Sequence, residues 1–288
     1  MRYFEDTDRP RASSAGGDEL LLKLCEKLAV AAGRLLLPAF QPGLAQAGAA
    51  GHAALAAAER AAEAVIVRGL AGTRSCIVEP ATEATIAGRQ LGAEFFLIDA
   101  LDGGAALLAG RAEFTVNIAL VRDGRPVLGV VFAPGRRALY AGSGGGATLA
   151  LLDRDLRRSK VGPIAVRPRP RQPRIVASRA PLTAASEAYL RQWPQAEVVA
   201  LASSLKFCLI ASGEADLYPC FGRSMEWHTA AGHAVLLAAG GSVRGPDGQP
   251  LAYGKIAQAD VDFAQPCFIA DGAAARHWPL EGQGAPCP

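Results

Sequence analysis

Between Phe96 and Gly104 the chain passes from a continuous apolar run, Phe96-Leu97-Ile98, straight into Asp99-Ala100-Leu101-Asp102-Gly103-Gly104. An apolar β-type run of this kind is a buried strand, so both carboxylates are delivered to its end, where the glycine pair lets the backbone turn tightly. Two acids so placed can share a hard divalent cation such as Mg²⁺. Taken alone, the spacing equally fits an ordinary Asp-Gly turn. Glu79 closes a second strand-like run, Cys76-Ile77-Val78, and offers a third carboxylate from a neighbouring segment. Its plain alternative is a solvated glutamate at a strand end.

The rest of the chain supplies layers to cover such a strand. With 288 residues, half of them apolar, there is enough to bury one large core or two smaller ones packed together. Leu21, Leu24, Cys25, Leu28, Ala32, Leu35 and Leu36 share one helical face, and Pro38 ends that helix. A second, alanine-rich helix is expected over residues 53–68, with Leu55, Ala58, Ala62, Val65 and Ile66 buried and Gly69 and Gly72 as its stop. Strands follow at 76–78, 95–98, 114–121 and 126–132, the last two joined by an Asp123-Gly124 hairpin turn. The run Gly142-Ser143-Gly144-Gly145-Gly146 lacks both the Gly-Lys-Ser/Thr ending and the spacing of a nucleotide loop, and reads as a flexible hairpin or loop.

Beyond a basic, proline-rich stretch, strand and helix patterns alternate. Strands are expected at 175–177, 198–200, 217–218 and 267–270, and helices at 184–193, 203–212 and 230–239. Alternation of this kind argues for α/β architecture on a mixed or parallel sheet. The resulting division is a disordered tail (1–17), an N-terminal α+β subdomain with the acids (18–153), a basic connection (154–173) and a C-terminal α/β subdomain (174–288). The arginines of the connection read as solvated, with a phosphate-attracting rim as the alternative.

A net charge of +3, from 30 basic and 27 acidic residues, argues against a nucleic-acid polymer or a membrane surface as the main partner, leaving small ligands. The charged start Met1-Arg2-Tyr3-Phe4-Glu5-Asp6, and the lack of any run of about 18 apolar residues, point to a cytoplasmic chain with no transmembrane segment. Six scattered cysteines form no Cys-x-x-Cys pair, and most read as small core residues.

The segment 96–104, followed by Glu113-Phe114-Thr115-Val116-Asn117-Ile118-Ala119-Leu120, resembles the D-P-[LI]-D-G-T signature and next strand of the inositol-monophosphatase superfamily. Ser203-Ser204-Leu205-Lys206-Phe207-Cys208, Leu217-Tyr218-Pro219 and Trp227-His228-Thr229-Ala230-Ala231-Gly232-His233-Ala234-Val235 are similar to its CysQ-type 3′(2′),5′-bisphosphate nucleotidases. The resemblance runs from about Leu20 to Ala270, with the motifs in the family's order. It implies an α/β/α/β/α layered sandwich of two subdomains with the active site between them. It also implies a Mg²⁺-dependent phosphomonoesterase acting on a small phosphorylated nucleotide such as 3′-phosphoadenosine 5′-phosphate, with a homodimer left open.

Carried over by position, Glu79, Asp99 and Asp102 match metal-binding acids, and the Ala100 carbonyl matches a further ligand. Glu59 stands for a catalytic-side aspartate, and Gly103, Gly104, Ser203, Ser204 and Lys206 fall on the substrate side. Several positions depart from the pattern. Gly104 replaces a threonine, so the hydroxyl that positions the attacking water is missing. His228 replaces a metal-ligating aspartate, which weakens Mg²⁺ and favours Mn²⁺ or Zn²⁺. Its plain alternative is a residue that caps the following helix or points to solvent. Pro80 replaces a glutamate, Pro181 a histidine and Cys220 an arginine. These departures motivate a second hypothesis, a catalytically inactive member that binds a phosphorylated ligand or a partner protein.

Overall fold

The computed structural model describes residues 15–78, 91–179, 181–256, 258 and 260–273. Helices α1 (Ala15–Leu36) and α2 (Ala49–Leu70) come first. Pro38 sits in a 3₁₀ turn directly after α1, as expected of a residue that cannot continue a helix. The second helix is longer than its pattern suggested: Gly69 lies inside it, and Gly72, with φ 78°, follows its end. Leu55, Ala62, Ile66 and Leu70 form its buried face, while Ala58 and Val65 are half-buried.

A seven-stranded sheet in simple sequential order, β1 to β7, carries the first subdomain. Its strands are β1 (Ser75–Val78), β2 (Glu94–Asp102), β3 (Thr115–Arg122), β4 (Arg125–Ala133), β5 (Ala138–Ser143), β6 (Gly146–Leu152) and β7 (Arg158–Ile164). Only the β1–β2 pairing is parallel. Asp123 and Gly124, both at positive φ, make the β3–β4 turn, and the 142–146 glycine run closes the β5–β6 hairpin. The edge strand β7 occupies part of the stretch expected to be an unpacked connection, because its backbone completes the ladder even though its side chains stay largely exposed.

The second subdomain has a five-stranded sheet in the order β12-β14-β10-β8-β9. It comprises β8 (Arg174–Ser178), β9 (Glu197–Leu201), β10 (Leu217–Cys220), β12 (Ser242–Arg244) and β14 (Phe268–Asp271). The pair β11 (Ser224–Met225) and β13 (Ala264–Gln265) forms a separate ribbon. A short α3 (Gly104–Leu108) follows β2, and α4 (Ala184–Arg191), α5 (Leu205–Ala211) and α6 (Glu226–Ala238) complete the α-helices among the described residues. The last starts four residues before its expected position, which brings His228 into its first turn.

Strand β2 explains the layering. Phe96 and Ile98 pack with α1 and α2, whereas Phe95 and Leu97 face α5, α6 and the smaller sheet. On the far side of that sheet, Ile175, Leu217 and Ile269 pack with Tyr189 of α4. The result is the α/β/α/β/α stack. Burying one such large apolar side chain is worth about 1.5–3 kcal/mol, and β2 contributes five, Leu101 included. The middle layer is tight because Gly129 on β4 leaves room for the backbone of α6: a Cβ there would lie 2.3 Å from Ala231 O.

Arg154, Arg157, Arg158 and Arg171 of the linker are exposed, as expected of solvated charges, but two of its arginines are tied to the second subdomain. Arg167 makes a two-pronged ion pair with Asp216 at 2.8 and 2.9 Å, and Arg169 pairs with Asp271. They strap residues 165–173 onto the second subdomain.

Candidate active site

The pairing of β2 with β3 breaks where the two acids lie. Asp99 stands opposite Asn117 and Asp102 opposite Thr115, so two residues on β2, Ala100 and Leu101, face one on β3, Val116, and form a bulge. This re-aims the strand end toward the boundary between the subdomains. Asp99 is almost fully buried. One of its oxygens accepts from Leu101 N at 3.0 Å and the other from Asn117 Nδ2 at 3.4 Å. His228 Nε2 lies 4.0 Å from the same Asp99 Oδ2, reaching it from the first turn of α6.

Asp102 meets the second subdomain directly, its Oδ2 accepting from Ser204 N at 2.6 Å. Gly103 must be glycine: its φ is 86°, and a Cβ would lie 2.6 Å from Glu113 O. Ser203, itself left-handed at φ 61°, turns the chain into α5. The Ser204 hydroxyl then donates to Asn117 Oδ1 at 2.5 Å, which leaves the Thr115 hydroxyl to donate to Ser204 Oγ at 2.9 Å. Glu113 adds a second bridge. Arg179 Nε and Nη2 donate to it at 2.9 and 2.6 Å, and Ala202 N at 3.1 Å. Burial pushes the Glu113 carboxyl up, but these donors outweigh it and hold the group below its usual range.

Beside these groups opens a cavity of about 520 Å³ lined by residues of both subdomains. Asp102, Gly103, Ser203, Ser204, Lys206 and His228 all line it. Lys206 is buried; its ammonium donates to Ser203 O at 2.7 Å and Leu201 O at 3.4 Å and lies 4.9 Å from the Tyr218 ring centre. Burial lowers its pKa, and the Asp102 charge opposes that fall. Cys220 lines the same wall as a thiol whose pKa burial raises.

Asp99, Asp102, His228, Ser203, Ser204 and Lys206 are thus brought together. Glu79 and Pro80 lie outside the described residues, although β1 reaches Val78 in register with Ile98, one residue before Asp99. Gly104 begins α3 between the cavity-lining residues Gly103 and Ala105 without lining the cavity itself, with Leu101 and Leu55 nearest to where a Cβ would stand, at 3.6 and 3.7 Å. Glu59, one turn beyond Leu55 on α2, is half-buried and also stands outside that lining. Glu226 does not line the cavity. It is fully buried and accepts from Gly254 N, Lys255 N and Lys255 Nζ, at 2.5, 3.0 and 2.6 Å.

Thr115, Asn117, Glu113 and Arg179 were not singled out from the sequence. The signal available was Thr115 and Asn117 alternating with Val116 and Ile118 in an otherwise apolar strand, because a polar side chain buried there needs partners.

The donor set suits a divalent cation in its chemistry: two carboxylates, and an imidazole within reach of one of them. Among the described residues, no three His, Cys, Asp or Glu side chains gather closely enough to form a metal cage by themselves. Asp99, Asp102 and His228 would therefore hold such an ion together with further donors.

The profile of the inositol monophosphatase family matches residues 18–273. The chain belongs to the inositol monophosphatase family. Within it, the 3′(2′),5′-bisphosphate nucleotidase CysQ of Escherichia coli strain K12 is 42% identical over 165 residues, covering 57% of this chain and 64% of that protein. The match thus spans under two thirds of that relative's length. The crystal structure of CysQ from Bacteroides thetaiotaomicron superposes with a TM-score of 0.75 at 29% identity, over 91% of this chain and 98% of that one. An inositol monophosphatase from Zymomonas mobilis shares the fold, with a TM-score of 0.70 at 22% identity, over 91% and 94% of the two chains.

Proposed function

We propose that the chain is a divalent-metal-dependent phosphomonoesterase whose substrate is a small nucleotide carrying a 3′-phosphate and a second phosphate, as in 3′-phosphoadenosine 5′-phosphate. One observation carries this reading. Asp102, His228 and the buried ammonium of Lys206 line one cavity, and Asp99, itself buried, lies 4.0 Å behind the His228 imidazole. Bound there, a divalent cation supplies Lewis-acid polarisation of a phosphoryl oxygen.

The remaining work falls to the chain. Asn117 and Leu101 N hold the Asp99 carboxylate in one orientation, and Ser204 N holds that of Asp102. Lys206 places a positive charge in a poorly solvated wall, where it acts on an anionic ligand more strongly than it would in water. Glu113 and Arg179 keep the two walls at a set distance.

The altered metal position at His228 supports Mn²⁺ or Zn²⁺ over Mg²⁺ as the preferred ion. No helix of the described residues is long and apolar enough to cross a membrane, and a cytoplasmic location accords with a nucleotide substrate. A second reading, a non-catalytic member that binds a phosphorylated ligand, is favoured by Gly104, which offers no hydroxyl. Phosphate release from 3′-phosphoadenosine 5′-phosphate, scanned over Mg²⁺, Mn²⁺ and Zn²⁺, separates the two. Release with any of the three supports the enzyme. Ligand binding without release under all of them establishes the binder.

A further inference from the structure

Asp102, Ser204 and Lys206 make up only part of the cavity lining, and its volume of about 520 Å³ lies in the range that encloses a nucleotide-sized ligand. The cations around the remainder are not equivalent. Arg179 lines the cavity but spends its fork on Glu113 and on Ala200 O. Lys206 already donates to two carbonyls. Arg223, on the turn from β10 to β11, also lines the cavity, and its partner among the described residues is Asp260, through one contact of 3.3 Å. Both side chains of that pair are about 60% exposed (62% and 59%).

An exposed, singly bonded ion pair of this sort is weak and easily exchanged. A guanidinium facing a phosphate gains two parallel, charge-assisted bonds instead. Cys220, three residues earlier on the same wall, is a neutral thiol and cannot hold an anion. Arg111, exposed after α3, adds positive charge to the cavity from the first subdomain.

We propose that Arg223 is a specificity-determining residue that leaves Asp260 to clamp the second, non-reacting phosphate of the substrate. This rests on the nucleotide reading above and names the group that distinguishes a nucleoside bisphosphate from a monophosphate. Asp260 competes for the guanidinium and sets how readily it is released.

The test compares adenosine 3′,5′-bisphosphate with adenosine 3′-monophosphate in the wild type, Arg223→Ala and Asp260→Asn. The quantity read is the ratio of KM for the monophosphate to KM for the bisphosphate. Losing a charge-assisted contact predicts that Arg223→Ala lowers this ratio about 10- to 100-fold, and that Asp260→Asn raises it. A ratio unchanged in Arg223→Ala overturns the assignment. Should the wild type release phosphate from neither nucleotide, the phosphatase reading fails, and calorimetric binding of the same two nucleotides decides this one alone. Selective loss of bisphosphate affinity in Arg223→Ala sustains the clamp; equal affinities for the two nucleotides in all three proteins refute it.

Discussion

Ser204→Ala tests whether the seam between the subdomains is held by the polar network under the acids. The substitution removes one oxygen. It leaves Asn117 Oδ1 and the Thr115 hydroxyl, in side chains with relative exposures of 1% and 0%, without their partner. A buried polar group left unsatisfied costs about 1–3 kcal/mol. Thr115 and Asn117 can still bond each other, their present separation being 3.4 Å, so the expected loss is about 2–4 kcal/mol for the two groups. At about 2 °C per kcal/mol for a chain of this size, Tm falls by about 4–8 °C. Differential scanning calorimetry of the two proteins at one pH reads this directly. The main-chain donor to Asp102 survives the substitution, so divalent-cation binding should weaken far less than stability. A Tm within about 1 °C of the wild type would show that the seam does not depend on this network, and the reasoning about it would fall.

Three further outcomes follow from the same structure. Gly129→Ala places a Cβ 2.3 Å from Ala231 O and 2.7 Å from Ala234 Cβ; helix α6 must move off the sheet, at a cost of about 1–3 kcal/mol, which a urea titration would detect as a lower midpoint at unchanged slope. His233 is fully buried, and burial lowers its pKa to about 3, while the unfolded chain titrates near 6.5. The unfolded state therefore takes up a proton first as pH falls through 6.5, and stability drops by about 2 kcal/mol by pH 5; His233→Gln, which cannot titrate, should show a smaller drop in urea titrations at pH 7 and pH 5, and an equal drop would contradict the assignment. The pair Gly104→Thr and His228→Asp should raise Mg²⁺-dependent phosphate release, since a Cβ at residue 104 meets nothing closer than 3.6 Å; a rate and a metal dependence both unchanged would show that those positions are misassigned.

Much of this was legible in the residues because it is local. The apolar run ending at Asp99, the Asp123-Gly124 turn and the stripe of α1 each declare an element within a few positions, although Leu35 of that stripe is turned out to solvent, and the order of elements then yields the layers. Strands β5 to β7 were harder. Ala138 to Ser143 are mostly small residues with little strand preference, and β7 carries Arg158, Lys160 and Pro163 on an edge where no apolar pattern is needed. The start of α6 was missed because Glu226 and His228 are not core-facing apolar residues. Glu226 is fastened by the 254–255 backbone and Lys255, and nothing near it in sequence announces that.

The site divides in the same way. Asp99 and Asp102 could be read from their strand, whereas the hold of Ser204 on Asp102, and of Arg179 on Glu113, arises between residues far apart in the chain. Such contacts depend on how the two subdomains meet, which no local pattern encodes. For the same reason Arg167 and Arg169 looked solvated with the rest of the linker: Asp216 and Asp271, which bind them, lie on or beside strands of the second sheet.

The central claim is that Asp99 helps to hold a divalent cation at the cavity. Titration of the full chain with Mn²⁺, followed by electron paramagnetic resonance of the free ion, tests it without relying on turnover. The account predicts saturable uptake by the wild type and loss of that uptake in Asp99→Asn. Superimposable isotherms for the two proteins would contradict it.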